Sequence, residues 1–114
     1  MRTAHCHVEV CVTNPRSYGE VLRREFDTWF VADGDDLVFR SQLRDCVDVN
    51  EQLKWLYVKL QYKRKSIRRL KDEGLTMTVR IYCDRLPISI KPESLLLAHK
   101  LNLPIEIVMK KFNF

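Results

Sequence analysis

Residues able to do chemistry are spread thinly along this chain, and the densest column of them stands near its start. His5, His7, Glu9 and Cys11 alternate with Cys6, Val8, Val10 and Val12. On a strand every second side chain points the same way, so two imidazoles, a carboxylate and a thiol would share one face, and these are zinc-ligand types. Strand geometry limits them, because ligands about 6.6–7 Å apart cannot all reach one ion through bonds of about 2 Å. Two at most could bind without help from elsewhere, and the expectation is a polar strand face with no metal site. Asp33, Asp35 and Asp36 around Gly34 offer hard oxygen ligands but lack the further ligands and terminal glutamate of an EF-hand. A hairpin turn accounts for them.

The four cysteines, Cys6, Cys11, Cys46 and Cys83, are scattered. Reduced, partly buried thiols are therefore expected in place of a disulfide framework. Cys6 and Cys83 fall on apolar strand faces, where thiols are usually inert, and neither has an evident base. Three isolated glycines, Gly19, Gly34 and Gly74, cannot build a phosphate-cradling loop. No catalytic residue and no cofactor is expected, so the chain reads as a non-enzyme.

The strongest chemical signal is charge. From Gln52 to Lys71 the chain carries eight Lys or Arg residues and no acid, against a formal net charge of +5 for the whole. Lys59, Lys63, Arg64, Lys65, Arg68 and Arg69, with Tyr62 among them, are the candidate binding residues; Lys54, Lys71 and Tyr57 flank them. Such side chains neutralise phosphate while aromatic rings stack on bases. The same composition also suits a solvated helix face, whose basic C-terminal end offsets the dipole and whose tyrosines pack on a sheet.

These cations ride on the element that organises the chain, a single long helix expected over Asp48–Gly74. Val49, Leu53, Leu56, Leu60, Ile67 and Leu70 recur at three- and four-residue spacing and form one buried stripe. Leu56 and Leu60 lie in its middle, while Trp55 lies at its edge, half-buried or turned to a partner. Asp48 suits the N-cap with Glu51 in capping-box position, and Gly74 suits the left-handed C-terminal position. Before this helix, alternation over Ala4–Thr13 predicts a half-buried strand, and Tyr18, Val21, Leu22 and Phe26 predict a short amphipathic helix over Arg16–Phe26. Thr28–Val31 and Leu37–Arg40 read as strands of a hairpin turning through Asp33-Gly34. Ser41–Val47 is a linker.

After the long helix, Leu75, Met77, Val79, Ile81 and Cys83 alternate as a strand. Asp84–Lys91 is a loop with a brief extended piece at Ile88–Ile90. A helix starting at Pro92 carries Leu95, Leu96, Ala98, His99 and Leu101, with Asn102 suited to its left-handed end and Pro104 stopping it. Ile105, Ile107 and Met109 close the chain as a last strand. The 114 residues, 46% apolar and 31% charged, have room for one core. One α+β domain over residues 1–114 is expected, a mostly antiparallel sheet of about five strands covered on one face by one long and two short helices.

Three stretches resemble a known family of small bacterial and phage-borne domains of unknown function, DUF4279. They are Asp48-Val49-Asn50-Glu51-Gln52-Leu53 leading into a charged helix, the strand Met77–Tyr82, and the ending from Pro92-Glu93-Ser94-Leu95-Leu96-Leu97 through Pro104-Ile105-Glu106-Ile107. Trp29 corresponds to a tryptophan such domains carry in a strand before the long helix, and Asn102 stands where they tend to carry glycine. The resemblance covers the last two-thirds of the chain. It implies a compact α+β domain without a known catalytic residue.

No apolar run approaches the ~20 residues that cross a bilayer, and the first ten residues lack a signal peptide's apolar block, so a cytoplasmic protein with no membrane partner is expected. The functional expectation is a small non-enzymatic interaction protein, an inhibitor or immunity-type factor of bacterial or phage origin that binds a protein or a protein–nucleic acid complex. The alternative expectation is a nucleic-acid-binding module using the basic helix over residues 54–71.

Overall fold

A computed structural model describes residues 5–43 and 48–110. Ala4, Cys46 and the second half of the expected linker lie outside the described residues. Along the chain run β1 (Cys6–Thr13), a 3-10 turn (Arg16–Tyr18) entering α1 (Gly19–Phe26), β2 (Val31–Asp33), β3 (Asp36–Arg40), α2 (Val49–Leu60), a second 3-10 turn (Gln61–Lys63), α3 (Arg64–Asp72), β4 (Thr76–Cys83), α4 (Pro92–Lys100) and β5 (Ile105–Met109).

Among the described residues the sheet has five strands, in the order β2-β3-β1-β4-β5. β1 is central and antiparallel to both neighbours, with Val10 across from Phe39 on β3 and from Val79 on β4. Only β5 is parallel to its neighbour β4, and α4 provides the crossover that a parallel pair requires. The helices cover one face. Val8, Val10, Val12, Phe39, Met77, Val79 and Ile81 from that face form one core with Leu22 and Phe26 of α1, the stripe of α2 and α3, and Leu101 and Leu103 after α4.

The long helix is built as its pattern predicts, with all six stripe residues buried and Asp48 accepting from the Asn50 N–H at 2.7 Å. It is not one uninterrupted α-helix. The 3-10 turn at Gln61–Lys63 falls in the gap between Leu60 and Ile67, where no buried side chain ties the helix to the sheet. Both C-terminal ends form the same two-bond motif. Leu75 N–H bonds to the Leu70 carbonyl and Gly74 N–H to that of Lys71, with Gly74 at φ +102°. Leu103 bonds likewise to Ala98 and Asn102 to His99, with Asn102 at φ +56°.

Gln52 is a polar residue in the stripe, fully buried against β1. Ser41 N–H makes the last β3-side bond to β1, at the Val8 carbonyl. Beyond that point Gln52 takes over, accepting from Val8 N–H through Oε1 and donating from Nε2 to the Cys6 carbonyl, both at 2.9 Å. Its primary amide stands in for a strand's peptide group, so the ladder continues past the end of β3.

Two further expectations change. β1 is not half-buried, since Glu9 and Cys11 on the helix-free face are 2% and 0% exposed; side chains of β3 and β4 lie across them. The hairpin is tighter than expected, with Asp33 paired to Asp36, Gly34 at φ +62° as the first turn residue, and Thr28–Phe30 outside the strand. In the loop after β4, Ile88 and Ile90 pack, partly buried, against the core.

Candidate anionic-partner interface

The cations of the long helix divide by what they meet. Arg69 of α3 pairs with Glu25 of α1, which also accepts from Ser66 Oγ at 2.9 Å. The hydrogen bonds from Arg69 and Ser66 hold the Glu25 carboxyl below its usual range. Lys71 donates to the Asn102 carbonyl, Lys59 lies 5.4 Å over the Trp55 ring, and Lys63 adds to the positive field on Glu25. Arg69, Lys71 and Lys59 thus make specific contacts within the domain, whereas Lys63 is partly buried and forms no ion pair among the described residues.

Arg64, Lys65 and Arg68 are different. They are exposed, and none forms an ion pair among the described residues. Together with Lys100, Leu101 and Asn102 from the end of α4 they line an open cleft of about 320 Å³. Lys100 also reaches over the Tyr57 ring, at 5.9 Å. Tyr62, in the 3-10 turn one residue before Lys63, is 86% exposed. It therefore does not pack on the sheet, whereas Tyr57 does pack against the core. Of the predicted site, Arg64, Lys65 and Arg68 share one concavity, Tyr62 stands on the neighbouring turn, and Lys59 and Arg69 are turned to other tasks. Trp55 is half-buried, its ring 5.6 Å from that of Phe39.

The column on β1 also separates. His7 Nε2 and Arg40 Nε lie 3.8 and 3.4 Å from Glu9 Oε1, while Arg40 continues to Asp33 at 3.1 Å. Burial raises the Glu9 carboxyl above its ordinary range, opposed by Arg40 and His7. Cys11 points instead toward Thr13 and Asp36. Among the described residues no group of three or more His, Cys, Asp or Glu side chains is placed to hold a metal ion. The turn aspartates serve the sheet, Asp36 accepting from Asn14 N–H at 2.9 Å and Asp33 meeting Arg40. Cys6 and Cys83 face each other across β1 and β4 as free thiols, and burial pushes Cys6 up to about 11, so neither is set up as a nucleophile.

Two features escape the sequence. Lys100 joins the basic cleft only because α4 ends beside α3. A second cleft of about 420 Å³, lined by Trp29, Phe39, Arg40, Trp55 and Lys59 among others, gathers three aromatic rings, from β3, α2 and the loop before β2. Two tryptophans in a chain this small are a faint signal for it. No helix among the described residues is long and apolar enough to cross a membrane. In comparisons with known proteins, no family model, curated protein or solved structure matches the chain.

Proposed function

We propose that this protein is a non-enzymatic interaction protein, an inhibitor or immunity-type factor, that docks an acidic surface of another protein on the cleft between α3 and α4. The observation that supports this most is the contrast among cations: Arg64, Lys65 and Arg68 have no acidic partner among the described residues, although Arg69 on the same helix does. Like charges held close together are unfavourable unless an anion joins them. The test uses immobilised protein in bacterial lysate. A stoichiometric partner held by the parent chain and lost with Lys65→Glu/Arg68→Glu supports the reading. Retention by that variant, or turnover in a broad hydrolase screen without any partner, removes it.

A second reading, a nucleic-acid-binding module, is favoured by Tyr62, whose exposed ring beside these cations is available for base stacking. Anisotropy titrations with duplex and single-stranded oligonucleotides at two salt concentrations separate the readings. Binding through phosphate weakens steeply as salt rises. Tyr62→Ala then weakens single-stranded binding alone, and absence of salt-sensitive binding at micromolar protein removes this reading.

A further inference from the structure

The two edges of the sheet are unlike. β2 is only three residues long and runs into a turn holding Asp33, Asp35 and Asp36, so that edge is short and charged. β5 is longer, has no proline within it, and among the described residues has no strand on its outer side. Val79 N–H bonds to the Pro104 carbonyl and Lys110 N–H to that of Cys83. By the two-residue period of a strand, the even-numbered residues of β5 therefore turn their backbone groups to β4, and Ile105, Ile107 and Met109 turn theirs outward. The side chains of Ile107 and Met109 lie on the helix-covered side, in register with Ile81 and Cys83, yet are 49% and 53% exposed. On the opposite face stand Glu106, Val108 and Lys110.

We propose that the chain pairs with a second copy of itself through β5, antiparallel about a two-fold axis at Val108, to make one continuous sheet. In that register Ile107 of one copy is across from Met109 of the other, and these are the residues whose N–H and C=O groups face outward, so both ladders are satisfied. The same two side chains cover one another on the helix side. On the other face Glu106 falls across from Lys110 of the second copy, twice by symmetry. Shifting the axis to Ile107 leaves Glu106 facing Val108, and shifting it to Glu106 sets two carboxylates together. Charge therefore selects the Val108 register, and the self-complementary pattern selects a second copy over an unrelated strand.

Sedimentation equilibrium on the full chain across micromolar to millimolar concentration tests this. The parent chain dimerises. Glu106→Lys alone and Lys110→Glu alone each associate about tenfold or more weakly, since each places like charges opposite twice. An equimolar mixture of the two variants recovers association, because each Lys then faces a Glu. Both substitutions are on exposed side chains, and urea unfolding checks that each variant folds. Ile107→Pro gives a second arm, removing an outward N–H without touching the bonds to β4. A parent chain that stays monomeric throughout, or a mixture no better than its components, overturns the proposal.

Discussion

Replacing Gln52 with Leu keeps nearly the same volume at a fully buried position and removes only the amide. Two backbone groups of β1 then lose their partners, the Val8 N–H and the Cys6 carbonyl, each now bonded at 2.9 Å. Leaving a buried donor or acceptor unmade costs about 1–3 kcal/mol, so the pair costs about 2–6 kcal/mol. Against a domain stability of about 5–15 kcal/mol that is a large loss. Gln52→Glu sharpens the test. As a carboxylate it still accepts from Val8 N–H, but it sets its second oxygen against the Cys6 carbonyl and buries a charge. Protonated, it donates an O–H to that carbonyl and reproduces the amide. The folded-state pKa of this glutamate is thus raised above the unfolded value of about 4.3. Its stabilising contribution is present below that value and lost as pH rises through the folded pKa. Urea unfolding at about pH 4 and about pH 7, each variant referred to the parent chain at the same pH, reads both effects. A Gln52→Leu penalty under about 0.5 kcal/mol, or a Gln52→Glu deficit that does not shrink in acid, refutes the role of the amide.

Two further outcomes follow from the helix. Leu60→Ala, at 0% exposure in the middle of the stripe, lowers stability by about 2–5 kcal/mol, whereas Lys65→Ala/Arg68→Ala stays within about 0.5 kcal/mol of the parent in the same urea titration. Glu25→Gln weakens the α1–α3 contact at neutral pH. Because Arg69 and Ser66 depress the Glu25 pKa below its ordinary 4.5, the stability they lend is present above that value and disappears as pH falls through the lowered pKa, so thermal melts of variant and parent converge in acid.

The elements whose physics is local were legible in the sequence. Leu75 to Cys83 alternates without a fault, the leucine stripe keeps its spacing, and Asp48, Gly74 and Asn102 occupy the end positions their chemistry suits. What escaped depends on residues far apart in the chain. Period two shows that Glu9 and Cys11 share a face, but not that Arg40 of β3 and Arg80 of β4 would lie across Glu9 on either side. Gln52 reads as a gap in an apolar stripe until β3 is seen to stop at Arg40 and leave β1 bare. Arg69 looks like its neighbours in sequence, and only the placement of α1 gives it Glu25 and removes it from the open surface. The basic run was visible; its division into working and open cations was not.

The central position of β1 also fixes an order of events. Glu9 waits for Arg40, and Thr13 and Cys6 wait for Thr76 and Cys83. A strand placed early in the chain, with all its partners downstream, cannot be completed as it emerges from the ribosome. At about 5–20 residues per second, the stretch from Thr13 to Thr76 takes roughly 3–13 s to synthesise. Until then the column Cys6, Val8, Val10 and Val12, which the finished domain hides completely or nearly so, lacks the β4 side chains beside it, and whatever β3 and the helices have not yet covered is open to a chaperone or a neighbouring nascent chain. Closing such distant pairings also slows refolding relative to a helical domain of equal size. Strand β1 therefore gains its second ladder only once β4 has been made, and β5 joins after it.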